Sequence, residues 1–151
     1  MMELPAAADE RIRLSTRFGD FEADPRNLVS FPQGLPGFER CRSFAILTSP
    51  AAAPLQCLHA VDGVPATFLA LDPRLVMPEY RCQLGDTDAV RLQSTDPGSL
   101  LWLALLSFDE QGHALANLRA PIVINPRLMI GVQLMPHNTL YPLRQPVAIR
   151  T

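Results

Sequence analysis

Residues 97–108 read Pro97-Gly-Ser-Leu-Leu-Trp-Leu-Ala-Leu-Leu-Ser-Phe108, and the fold class turns on them. The run contains no β-branched residue, Asp96 before it is a good N-cap, and Pro97 suits the first helical position. Local propensity therefore favours a helix. A buried strand is the alternative, because a continuous apolar run shows neither the helical nor the strand period.

The flanking sequence is patterned for strands. Fifteen prolines are spread along the 151 residues, and 98–120 is the longest stretch without one. Proline is poorly tolerated inside helices and central strands, so the elements must be short, with prolines at turns and edges. Residues 11–16 alternate Ile12 and Leu14 with Arg11 and Arg13, the period of a half-buried strand. Short apolar runs follow at 27–31, 43–48, 55–61, 66–71, 121–125 and 128–135, nearly all bounded by Gly, Pro, Asn or Asp. Asp86 or Thr87 is placed to cap one short helix over 87–92. The pattern predicts a single small all-β, sandwich- or barrel-like domain over 11–149, with one or two short helical turns. Residues 1–10 read as a flexible tail.

Composition narrows the function. With 48% hydrophobic residues the chain is not disordered, and surface scaling lets it bury roughly two-thirds of its surface. A net charge of −2 supplies no global field for nucleic acid or an anionic membrane. No apolar run reaches membrane-helix length, and acids and arginines come too early for a signal peptide, so a cytoplasmic protein is expected. All 13 basic residues are arginines, which excludes Schiff-base chemistry and a lysine-dependent phosphate loop. Cys41, Cys57 and Cys82 are odd in number and lack CxxC spacing, so they read as free, mostly buried thiols. No cofactor or metal is expected.

Charge is uneven. All fifteen acids lie in 1–110 beside nine arginines, a balance of −6, whereas 111–151 hold four arginines and no acid, +4. The C-terminal arginines either pair with acids on neighbouring strands or form a basic face for an acidic partner. They are too sparse for a nucleic-acid groove.

Catalytic constellations are weak. No GxSxG occurs. Cys57-x-His59 would share one strand face, a spacing that more often means a shared surface than a thiolate–imidazole pair. Asp86-x-Asp88 and Asp109–Glu110 lack calcium-loop spacing and read as solvated turn acids. Tyr80, Trp102 and Tyr141 read as core or rim aromatics, and His113 and His137 as exposed turn residues. Phe31-Pro-Gln-Gly-Leu-Pro-Gly-Phe-Glu39 is a rigid turn in which Gly34 and Gly37 can both adopt positive φ, Gly37 being the likelier left-handed position. It is either a structural corner or a preformed binding loop.

This loop resembles the GLPGFE signature of the FliW family of flagellar assembly factors. The likeness continues at Asp72–Pro73 and Pro78-Glu-Tyr80, and in Ala116-Asn-Leu-Arg-Ala-Pro-Ile-Val-Ile-Asn125. It ends with Gly131-x-Gln133 and Tyr141-x-x-Arg144. These elements keep the family's order over about 12–147, nearly the whole chain. The resemblance implies a small β-barrel-like fold, and a strand for 99–108 against local propensity. It also implies a non-enzymatic protein that binds the translational repressor CsrA, relieving repression of flagellin mRNA, and that binds flagellin as a chaperone-like factor. Direct nucleic-acid or membrane contact is not implied. Candidate contact residues on its motifs are Leu35, Glu39, Glu79, Tyr80, Arg81, Arg119, Asn125 and Arg144. Gly34, Pro36, Gly37, Phe38, Asn117 and Pro121 are expected to be structural, with Asn117 a buried amide. The chain departs from the family at His59–Ala60, commonly Gln-Ser, and at Arg81, often an acid. A barrel for a nucleotide second messenger is the alternative function, although a clustered RxxxR pair is missing near the N-terminus. A hydrolase is disfavoured by the residue census.

Overall fold

The computed structural model describes residues 11–16, 19–24, 26–136 and 139–148. The tail expected at 1–10, the end of the expected domain at 149, and His137 lie outside the described residues. Among those described, the strands are β1 (Ile12–Thr16), β2 (Gly19–Ala23), β3 (Leu28–Ser30), β4 (Ser43–Leu47), β5 (Gln56–Ala60) and β6 (Thr67–Leu71). They continue with β7 (Leu101–Phe108), β8 (Ala114–Ala116), β9 (Ile122–Asn125), β10 (Ile130–Gln133) and β11 (Gln145–Val147). One α-helix, α1 (Asp86–Leu92), joins them.

Seven strands close a barrel in the order β7-β6-β5-β4-β3-β10-β9, with β9 pairing back onto β7. All neighbours are antiparallel except β3 and β10, which meet in parallel at Ile130 and Ser30. β8 and β11 extend the sheet from the far half of β7, and β1 and β2 form a separate hairpin.

Alternation along the strands builds the core. Phe44, Leu58, Ala60, Ala70, Leu103, Ile122 and Ile124 turn into the barrel, where Phe31 and Phe44 meet edge to face at 5.3 Å. The intervening residues face outward and are also covered. The hairpin lays Phe21 and Ala23 over Ala45, Leu47 and Cys57. Leu92 of α1 packs with Val123 and Trp102, and Tyr80 packs with Ala104 and Leu118.

This double cover explains residues 97–108. Leu101, Leu103 and Leu105 pack into the barrel cluster, while Trp102, Ala104 and Leu106 belong to outer clusters. A strand buried on both faces shows no polar alternation. The helix-start signals were genuine but mark only a 3-10 turn, Pro97–Ser99, in which the Asp96 side chain accepts from the Gly98 N–H. The short helix begins one residue earlier than expected. Its N-cap is Gly85 and makes no side-chain cap bond, so neither Asp86 nor Thr87 caps it.

Candidate partner-binding site

Both motif segments meet at one mouth of the barrel. The first is the turn at 34–38. Gly34 and Gly37 both have left-handed φ, +66° and +84°, the conformation the sequence allowed for each. The tighter constraint is at Gly34, where a Cβ would lie 2.6 Å from Glu39 Cα. The Gly34 N–H donates to Phe31 O at 2.7 Å and the Phe38 N–H to Leu35 O at 2.7 Å. The Glu39 carboxylate accepts from the Gly37 N–H at 2.9 Å, a bond that lowers its pKa. Phe38 packs edge to face on Phe68 at 5.2 Å.

The second segment is a bulge at 117–121. Leu106 pairs with Ala116, whereas Leu103, three residues back along β7, pairs with Ile122, six residues on. Three residues are therefore looped out of the ladder between β8 and β9. The Asn117 side-chain oxygen clamps them, accepting from the Arg119 and Ala120 N–H groups at 3.0 Å each. Leu118 is fully buried in the outer cluster beside Tyr80 and Ala104, and its carbonyl accepts from the Tyr80 hydroxyl at 2.8 Å. Arg119 turns outward, and its Nε donates to Tyr141 O at 3.2 Å. The Gln133 amide donates to Ala120 O at 2.9 Å. Asn117 is only half-buried, so the expected buried amide is instead the clasp of a turn.

Turn and bulge enclose an open cleft of about 640 Å³. Leu35, Pro36 and Phe38 form one wall, and Asn117, Arg119 and Ala120 another. Phe68 and Leu105 floor it, while Gln133, Met135, Pro136 and Leu143 complete the rim. An adjoining hollow of about 450 Å³ shares Phe68, Leu105, Asn117 and Leu143 and is edged by Phe108 and Arg144.

The structure separates the eight candidate contact residues. Leu35 and Arg119 line the cleft, and Arg144 the adjoining hollow. Glu39, Glu79 and Arg81 are exposed but line neither, and the Arg81 N–H donates to the Tyr141 hydroxyl at 2.7 Å. Three of the eight are buried, which tells against direct contact: Leu35 at 2%, Tyr80 at 6% and Asn125 at 6%. Tyr80 stacks on Tyr141 at 4.5 Å, and burial raises its pKa. The Asn125 amide donates to Leu92 O at 2.8 Å and accepts from the Arg127 and Leu128 N–H groups. It ties α1 to the barrel and is structural.

Of the residues expected to be structural, Pro36, Phe38 and Asn117 also line the cleft, while Pro121 is buried at the start of β9. Phe68, Leu105, Met135 and Leu143 were missed. The available signal was the prolines beside Met135 and Leu143, which end strands and leave an apolar neighbour outside the sheet.

Elsewhere the chemistry is quiet. Cys57 is buried, which pushes its thiol up to about 11, and the His59 ring bonds Thr67 Oγ1 at 2.9 Å rather than the thiol. Asp109 holds the β7–β8 turn through the backbone N–H groups of His113 and Gln111, and its carboxylate also meets the His113 ring at 3.1 Å. Among the described residues, none of Arg119, Arg127 and Arg144 pairs with an acid, so the first of the two readings of these arginines, ion pairs with neighbouring strands, is not met. Among them, too, no group of three His, Cys, Asp or Glu side chains is placed to hold a metal, and no helix is long and apolar enough to cross a membrane.

Fold and cleft together define a closed seven-stranded barrel with an apolar, arginine-edged groove at its mouth. The FliW protein family model matches residues 13–147, and the chain belongs to that family. The flagellar assembly factor FliW of Moorella thermoacetica is 34% identical over 133 residues, covering 87% of this chain and 84% of its own. That of Thermoanaerobacter pseudethanolicus is 33% identical over 132 residues, 86% and 88% of the two chains. A crystal structure of the flagellar assembly factor FliW superposes with a TM-score of 0.77 at 30% identity, covering 91% of this chain and 96% of that one.

Proposed function

We infer that this chain is a non-enzymatic, cytoplasmic regulator of flagellum assembly that works by binding two proteins in turn. One is a CsrA-type translational repressor, whose capture relieves repression of flagellin mRNA. The other is flagellin, which displaces the repressor and is held in a chaperone-like complex.

The observation that carries this reading is the family match across 13–147, with relatives named flagellar assembly factors. The site agrees with it. An open groove with exposed apolar side chains and two arginines that pair with no acid among the described residues is suited to a protein surface. A small-ligand barrel is not favoured, because Phe31, Phe44, Leu58, Leu103 and Ile122 fill the interior.

The test is a binding measurement with purified chain and the CsrA and flagellin of the same organism, without added metal or nucleotide. Binding to both is expected. Binding to neither by a folded chain refutes the reading. Binding to flagellin alone keeps the chaperone role and removes the translational one, an outcome on which the departures at His59 and Arg81 bear, Ala60 being buried in the barrel.

A further inference from the structure

We propose that the groove at the barrel mouth seats an amphipathic helix with carboxylates along one flank, presented by flagellin and not by the translational repressor. The proposal rests on the flagellin partnership inferred above and assigns it a surface.

Three observations carry it. The first is apolar exposure. Phe38, Met135 and Leu143 are 37%, 59% and 49% exposed, and all three line one continuous groove. Large apolar side chains gathered in this way mark a contact surface.

The second is the state of the backbone. In the bulge, the N–H groups of Asn117 and Leu118 donate to Leu105 O and Pro142 O, and those of Arg119 and Ala120 to the Asn117 side chain. The carbonyls of Leu118, Ala120 and Pro121 accept from Tyr80, Gln133 and the Leu134 N–H. All four N–H groups of 117–120 are committed, so this wall gives an added strand no row of donors. Recognition there runs through side chains, which is the helix-in-groove mode.

The third is charge. Arg119 edges the cleft and Arg144 the adjoining hollow, no acid lines either, and neither arginine has an acidic partner among the described residues. The nearby Glu39 carboxylate is turned onto the Gly37 N–H. A partner flanked by carboxylates completes both arginines. A repressor that binds RNA through basic surfaces is repelled there.

The experiment uses the full chain with Met135→Glu, Leu143→Glu and Arg119→Glu, and with Val90→Glu on exposed α1 as control. Affinity for purified flagellin and for CsrA is measured by calorimetry, and each variant is melted to verify folding. The two apolar variants should weaken flagellin at least about tenfold, the size expected for anchoring contacts. Arg119→Glu should weaken it and flatten its dependence on salt. CsrA affinity and the control should stay within about twofold, inside the scatter of surface changes. Hydrogen exchange on bound flagellin should protect a helical segment with an apolar stripe and flanking Asp or Glu. If wild type binds flagellin and folded apolar variants bind it equally well, the groove assignment fails and the partnership stands. If folded variants lose CsrA as well, or the protected segment is extended or basic, the assignment fails too. If wild type binds no flagellin, the partnership falls and takes the groove assignment with it.

Discussion

Gly34→Ala is the sharpest probe of the turn that forms one lip of the cleft, with Gly37→Ala as its internal reference. Both glycines have left-handed φ, so either alanine brings the cost of placing a Cβ in that region, about 1–2 kcal/mol. The sites differ in what the new methyl meets. At Gly34 it would lie 2.6 Å from Glu39 Cα, 2.7 Å from Glu39 O and 2.8 Å from Glu39 C, all backbone atoms that no side-chain rotation moves. At Gly37 it meets nothing within 4 Å. Overpacking of the first kind adds about 1–3 kcal/mol. The expected losses are therefore about 2–5 kcal/mol for Gly34→Ala and about 1–2 kcal/mol for Gly37→Ala. Near this chain length each kcal/mol moves the melting midpoint by roughly 2–4 °C, so the two variants separate in a thermal scan. Urea unfolding followed by the single tryptophan, Trp102, gives the difference directly. Equal losses would refute the close approach to Glu39. A neutral or stabilising Gly37→Ala would refute the left-handed conformation itself.

Asn125→Ala removes a buried amide that serves three backbone groups, so it should cost about 2–4 kcal/mol in urea unfolding, more than Asn117→Leu at about 1–3 kcal/mol. The reverse order would show that the bulge clasp outweighs the tie to α1. The Asp24 carboxyl is held down to about 2, first by the Arg26 side-chain bond and then by the Arg26 N–H. A carboxyl depressed on folding stabilises above its unfolded pKa, near 3.8, and loses that contribution as pH falls through about 2. Asp24→Asn should flatten the acid limb of stability between those values, and an unchanged limb would refute the pairing. Cys82, half-buried, should react with an aromatic disulfide reagent before Cys41 and Cys57, which should react only on unfolding. Early labelling of Cys57 would contradict its elevated pKa and its burial under the hairpin.

Much of the barrel was legible because its strands are short and bounded by turn residues. The runs at 43–48, 55–61 and 66–71 became β4, β5 and β6 nearly unchanged. Three strands were not legible. β2 has only Phe21 and Ala23 as apolar residues, β8 is Ala-Leu-Ala, and β11 carries Pro146 at its centre, tolerated because β11 is the sheet's edge. The parallel contact of β3 and β10 joins segments about a hundred residues apart, and no local pattern encodes it. The reading of 97–108 needed the family resemblance, since a strand covered on both faces has lost its period. At the site, sequence motifs found the turn and the bulge. Phe68 and Leu105 were out of reach because they are ordinary inward-facing strand residues, and only their place at the barrel mouth makes them a cleft floor.

The bulge shows how one polar side chain links stability to the site. In a regular ladder from β8 into β9 consecutive residues face opposite sides, so Leu118 in the outer core would put Arg119 inside the apolar barrel instead of at the cleft rim. Looping out three residues breaks that alternation, but it strips the Arg119 and Ala120 N–H groups of ladder partners. The Asn117 oxygen supplies both. Aspartate at 117 would keep the two acceptor bonds, yet it would put a carboxylate in the cleft wall beside Arg119 and neutralise the rim. Asn117→Asp should therefore leave the melting midpoint within a few degrees while weakening any partner that depends on the arginine, and Asn117→Ala should lower both. If Asn117→Asp bound an acidic partner as well as wild type does, Arg119 would not be acting as a charge at this rim.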